Sequence, residues 1–293
     1  MFSSIDTTAV PGIESSLSQT LRLLIRNRSA ITALSIIGFF VFLALFGPYF
    51  TPFNPDALNL ALRLSPPSST HIMGTDEYGR DVFSRILYAA RLDMAIALLS
   101  TTLSYLLGVT IGVVSGFLGK ITDSVMMRFM DILLSFPSIL FAIAIAISIG
   151  PGFNTIIIAI VVVTIPGFAR IARSSVLSTK EELYVLAAAS VGASRWHIMY
   201  RHIVPNVISP TLVFYSLGLG NSILIAASLS FLGVGIPPPT PEWGAMISSG
   251  LQYVVSGQWW LTVFPGLFIV AIVVAFNLLG DTIREVSDVT LRR

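Results

Sequence analysis

Long stretches without charge constrain this chain more than anything else in it. Windows of roughly 18 or more residues nearly free of Asp, Glu, Lys and Arg recur along its 293 residues, each long enough to cross a hydrocarbon core of about 30 Å as a helix. Lipid offers the backbone no hydrogen-bond partner, so each segment must satisfy its own N–H and C=O groups, which selects the α-helix. Six spans are predicted, about Ala30–Phe50, Met94–Phe117, Val125–Ile149, Thr155–Ala172, Val207–Leu232 and Leu261–Leu279.

Charge placement sets the direction of threading. Arg22, Arg26 and Arg28 precede the first span, which is too long for a signal-peptide apolar region and reads as an uncleaved anchor with a cytoplasmic N-terminus. Alternation then leaves only Arg63, Arg80, Arg85 and Arg91 outside, as the positive-inside rule requires. The expected organisation is a cytoplasmic segment 1–29, a six-span domain 30–280 and a cytoplasmic tail 281–293. External loops fall at about 51–91 and 233–258, and a cytoplasmic loop at about 173–206.

Several chemistries are excluded. The chain has no cysteine and its three histidines, His71, His197 and His202, are scattered, so no metal-ligand cluster is expected. A net charge of +2 is spread along the chain, against nucleic-acid binding. Gly119-Lys120 resembles the end of a P-loop, but Val114 stands where a glycine is needed and Ile121 where Ser or Thr is needed. Neither H-E-x-x-H, G-x-S-x-G nor a pair of intramembrane carboxylates is recognisable, so no enzymatic activity and no cofactor bound by this chain are expected.

Within the spans, Gly108, Gly112 and Gly116 recur every four residues and share a helix face, for packing within the chain or against a partner subunit. Asp131 and Pro137 interrupt the third span; the carboxylate either pairs with Arg128 or faces a pathway, and the proline permits a kink. Asn277 in the last span reads as an interhelical hydrogen-bonding residue or a pathway residue.

The cytoplasmic stretch ELYVLAAASVGASRWHIMYRHIVPN, Glu182 to Asn206, is too polar to cross lipid yet patterned as a helix. Gly192 breaks the run, and Ser194 is placed to cap a second piece ending before Pro205, with Trp196, Met199 and Ile203 on one face. Docking into another protein and lying along the membrane interface are equally compatible with that pattern. On the external side, Arg80, Asp81 and Arg85 are expected on a helix along the outer interface, and Glu242 with Trp243 as contacts in a proline-stiffened loop.

AAASVGASRWHIMYRHIVPN resembles the "EAA" loop of membrane-spanning subunits of bacterial ABC importers. The matching positions are Ala187, Ala188, Gly192, Ile203 and Pro205, with Ala193 and Trp196 between them; Leu186 stands where the pattern usually has Glu. GTDEYGRDVFSRILYAAR, SLSFLGVGIPPPTPEWGAMI and AFNLLGDTIRE narrow the resemblance to the "C"-type member of the dipeptide/oligopeptide/nickel permease branch, over the chain from about Asn27 onward. The resemblance implies an all-α integral membrane protein of the type I importer permease fold in a bacterial inner membrane, with peptides as cargo or, alternatively, nickel or metal chelates. It also implies a second homologous permease, two cytoplasmic ATPase subunits that hold ATP and Mg²⁺, and an extracytoplasmic binding protein. The stretch 186–205 would then be the coupling helix. An ion-driven secondary transporter is the alternative from another class.

Overall fold

The computed structural model describes residues 27–291, with side chains through Val286. Residues 1–26 of the expected cytoplasmic segment 1–29, with Arg22 and Arg26, lie outside the described residues, as do Arg292 and Arg293. Among the described residues, the chain forms α1 (Arg28–Phe46), α2 (Val82–Leu118), α3 (Lys120–Leu134), α4 (Ser138–Ile149), α5 (Phe153–Lys180), α6 (Leu183–Ser190), α7 (Arg195–Phe231), α8 (Trp243–Val254) and α9 (Trp260–Leu291).

Local chemistry sets the helix ends. Asn27 caps α1, its Oδ1 accepting from the Ser29 amide at 2.9 Å, and Asp81 caps α2, accepting from the Ser84 amide at 2.8 Å. Gly119 ends α2 at φ +65°, where a side chain would be strained, and the chain turns directly into α3.

Among the described residues, five helices are long and apolar enough to span, and α3 with α4 makes a sixth only as a pair bent by 87°. The expected kink at Pro137 is thus a near right angle. Phe136 precedes a proline and is driven out of helical geometry, while Pro137 itself has no N–H to continue the ladder. At about 1.5 Å per residue, neither α3 nor α4 alone crosses a bilayer core.

Two helices of 37 residues, α2 and α7, exceed the core thickness. Both pack on α5, which runs along much of α2. Gly108, Gly112 and Gly116 lie at that seam; a Cβ on Gly112 would sit 2.3 Å from the Ala169 carbonyl oxygen, so the backbones meet where side chains are missing. Three buried clusters form among the described residues. Phe40, Ile86, Trp243 and Ile272 centre one at the end carrying residues 71–85, here the far end; Ile96, Ile156, Ile160 and Leu229 fill a second beside it; Val113, Val176, Met199 and Ile203 fill the end carrying residues 181–206, here the loop end.

Candidate functional site

At the loop end, Gly192 stands at φ +86° between α6 and α7 with open space around it. Ser194 caps α7, accepting from the His197 amide at 3.2 Å. Sequence reasoning ended this helix before Pro205; instead α7 runs on through a wider π turn, Met199–Ile203, with the Val204 amide bonded to the Met199 carbonyl. Bonding across five residues lets the helix pass a proline whose N–H is missing. The piece after the break and the span that follows are therefore one rod.

The expected face of Trp196, Met199 and Ile203 divides. Ile198, Met199 and Ile203 are buried against Val113, Ala172 and Val176 of α2 and α5, together with Val185 of α6. Trp196 lies past the bundle end and stacks on Tyr200 with ring centroids 6.3 Å apart. Leu183 (83% exposed), Val191 (86%), Trp196 (62%) and Tyr200 (66%) form an apolar surface with Leu186 beside it. Ala187 is also exposed, Ala188 and Ala193 are half-buried, and Pro205 is exposed.

Ion pairs hold α3 to α5 behind this surface. Arg173 grips Asp123 with Nε at 2.5 Å and Nη2 at 2.6 Å, and Ser115 Oγ donates to the same carboxylate. Lys180 Nζ donates to the Gly116 and Phe117 carbonyls that end α2, at 3.2 and 3.3 Å. Asp131 pairs with Arg170 of α5 at 2.6 Å, a guanidinium supplied by a neighbouring helix, and not with Arg128 as one of the two readings had it. Both partners are more than half exposed. Asn277 is exposed and has no hydrogen-bond partner among the described residues; it lies beside Gly220 of α7.

The far end corrects the sequence reading more sharply. Arg80, Asp81, Arg85, Glu242 and Trp243, expected as outward contacts, are all buried. Residues 82–93 are not a separate interfacial helix but the start of α2, roofed by the loops on either side. Arg80 Nε donates to Asp76 Oδ2 at 2.6 Å. Arg85 bonds the Pro55 carbonyl at 2.9 Å and the Pro239 carbonyl at 3.1 Å, and lies 3.4 Å from Asp56 and 3.6 Å from Asp76. Asp81 pairs with His71 Nδ1 at 2.8 Å. Trp243 donates from Nε1 to the Ile86 carbonyl at 3.2 Å, and Trp260 does the same to the Thr75 carbonyl. A cavity of about 290 Å³ opens between this network and α8, lined by Glu77, Arg80, Arg85, Ser249 and Tyr253. Burial pushes the Glu77 carboxyl up from its ordinary range.

Sequence reading also missed a carboxyl pair. Asp93 of α2 accepts from the Trp243 amide at 3.2 Å, which brings it beside Glu242, although no paired carboxylates were recognisable along the chain. Nothing local signals it, because 149 positions separate the two residues and only the fold joins them. Residues that could hold a metal as a cluster of three or more acidic or histidine side chains do not come together among the described residues.

Comparison with known proteins gives a consistent result. Residues 108–293 match the family "Binding-protein-dependent transport system inner membrane component", and residues 15–67 match the "N-terminal TM domain of oligopeptide transport permease C". The dipeptide transport system permease protein DppC of Alkalihalophilus pseudofirmus is 41% identical, over 90% of this chain and 86% of that protein. The glutathione transport system permease protein GsiD of Pectobacterium atrosepticum is 38% identical, over 92% of this chain and 90% of that protein. A chain of the inward-facing MetNI methionine ABC transporter has the same fold, with a TM-score of 0.56 at 17% identity over 69% of this chain and 96% of that one. This chain belongs to the family of inner membrane components of binding-protein-dependent transport systems, multi-pass permease subunits of ABC importers.

Proposed function

We propose that this chain forms half of the pathway by which di- or oligopeptides enter the cell. Its loop end couples that pathway to ATP hydrolysis on separate subunits. The observation that carries the reading is the exposed apolar surface of Leu183, Leu186, Val191, Trp196 and Tyr200, the last two of which sit on a helix continuous with a membrane span. An exposed apolar patch at the end of a rod is suited to transmitting a push, because displacement of the patch moves the whole span. The names of the relatives support peptides as cargo.

On this reading the loop end is cytoplasmic, with both termini on that side, and the far end faces outward. The partners are a second homologous permease, two ATPase subunits holding ATP and Mg²⁺, and a binding protein that delivers cargo to the far end. The two-state membrane pair is biased by nucleotide from one side and by the loaded binding protein from the other, each through its differential contacts with the two states.

The test is purification through a tag on this chain, co-expressed with its genomic neighbours. Two ATPase subunits and a second permease should co-purify. A Gly192→Trp variant, placed in open space, should keep the second permease and lose the ATPases. Recovery of this chain alone, with ion-driven uptake after reconstitution, would overturn the reading.

A further inference from the structure

The far end holds two groups that the transport reading leaves unused. Asp93, about three turns into α2, and Glu242, the N-cap of α8, are 3% and 0% exposed. Both carboxyls gather at the first turn of α8, Asp93 on the Trp243 amide and Glu242 on the two amides that follow. Two buried carboxylates brought together repel when both are ionised, which favours a proton on one of them.

Their remaining contacts come from backbone and neutral groups. The Trp243 amide donates to Asp93 Oδ2 at 3.2 Å, and Glu242 accepts from the Gly244 amide at 2.9 Å and the Ala245 amide at 2.7 Å. From α7 the buried Ser230 hydroxyl faces Glu242. From α1 and α9 come Phe40 and Phe268, packed on Trp243. Glu242 is the charged group acting on Asp93 among the described residues. Helix α8 is pressed so close to α7 here that a Cβ on Gly244 would lie 2.4 Å from the Ala227 carbonyl oxygen.

We propose that Asp93 and Glu242 hold one proton between them, and that this shared proton clasps the start of α8 onto α2 and α7, so that its loss loosens the far-end cover of the bundle. Two negative carboxylates at one helix turn, with no cation beside them among the described residues, would repel across the seam where α8 meets both spans. With the orientation proposed above, on which this part of the inference rests, the clasp senses the external pH.

The sign follows from Glu242. Burial pushes its carboxyl above the ordinary range, against the pull of the two amides that bond it. An acid raised by folding contributes stability that is complete below its unfolded pKa and is lost as pH rises through the folded value. The clasp is therefore closed in acid and opens toward alkaline pH.

The experiment uses the full chain with its partners in nanodiscs, in a Glu77→Gln background that removes the other far-end carboxyl raised by burial. Infrared spectroscopy reads the C=O stretch of a protonated carboxyl, and thermal unfolding is followed from mildly acid to mildly alkaline pH. We expect a protonated-carboxyl band persisting above the ordinary carboxyl range and an unfolding temperature that falls by several degrees as pH rises. Asp93→Asn, which is isosteric and supplies an N–H toward Glu242, should abolish the band and flatten the pH slope; Glu242→Gln should also abolish the band. An unchanged band and slope in Asp93→Asn would overturn the proposal. If neither variant accumulates, the parent titration decides: persistence of the band supports the shared proton and its absence overturns it. None of these readouts depends on ATPase binding, so failure of the clasp and failure of the transport reading are separable.

Discussion

The two 37-residue helices are longer than a bilayer core and start at opposite ends of the bundle, and the protein treats the two starts in opposite ways. The start of α2 carries Asp81, Ser84, Arg85 and Asp93, yet all four are buried under loops and α8. The start of α7 and the turn before it carry Trp196, Tyr200 and Val191, yet these are exposed. Charges are sealed where the chain closes on itself, and apolar surface is left open where a partner is proposed to complete it. A buried ion network is weak evidence for net stability, but removing one member leaves an uncompensated charge. An exposed apolar patch contributes nothing to the isolated chain and everything to an interface.

The strongest way to break this contrast is at Arg85, whose side chain is 6% exposed. Arg85→Ala leaves Asp76 to Arg80 alone and frees the Pro55 and Pro239 carbonyls, at about 1–3 kcal/mol for each acceptor left unpaired, read as loss of monodisperse protein on extraction. Survival of a stable Arg85→Ala complex would mean that the far end is not held by this network.

A smaller effect sharpens the picture at the loop end, where one polar grip is partly buried. Asp123→Asn breaks the fork with Arg173 and should cost about 1–3 kcal/mol in unfolding experiments. The patch itself should separate stability from association. Val191→Asp should shift stability by no more than about 0.5 kcal/mol while weakening ATPase binding about tenfold or more, a loss of ~1.4 kcal/mol. Smallest of all is Asp131→Asn, whose exposed pair with Arg170 should be worth about 0–1 kcal/mol in a thermal shift assay. A selective fall in transport rate with unchanged stability would instead give Asp131 a place in the pathway.

How much of this was legible beforehand depends on how local each signal is. Spans were readable because hydropathy is a property of a window, and the break near Pro137 was readable because proline acts on its own neighbours. Its near right angle was not, since packing of α4 against α5 and α7 sets the angle. The burial of Arg80 and Arg85 was invisible, because polar side chains in a loop-rich stretch ordinarily face solvent and only the convergence of residues 53–56, 71–81 and 237–239 covers them. The same nonlocality hid Asp93, a lone aspartate near the start of an apolar run, from Glu242. At the loop end, the break at Gly192 and the cap at Ser194 were legible, whereas the passage of α7 through Pro205 required a π turn that no residue announces.

The central claim concerns the exposed surface of residues 183–200, and the absence of cysteine from the sequence makes it directly testable. Val191→Cys, with Tyr49→Cys at the other exposed extreme as control, would be cross-linked in membranes containing the co-expressed ATPase subunits. We predict an adduct between Val191→Cys and an ATPase subunit, changing in yield with nucleotide, and none from Tyr49→Cys. No adduct at Val191→Cys, with labelling there by a lipid-confined reagent, would mean that the surface lies on the bilayer and that coupling enters the chain elsewhere.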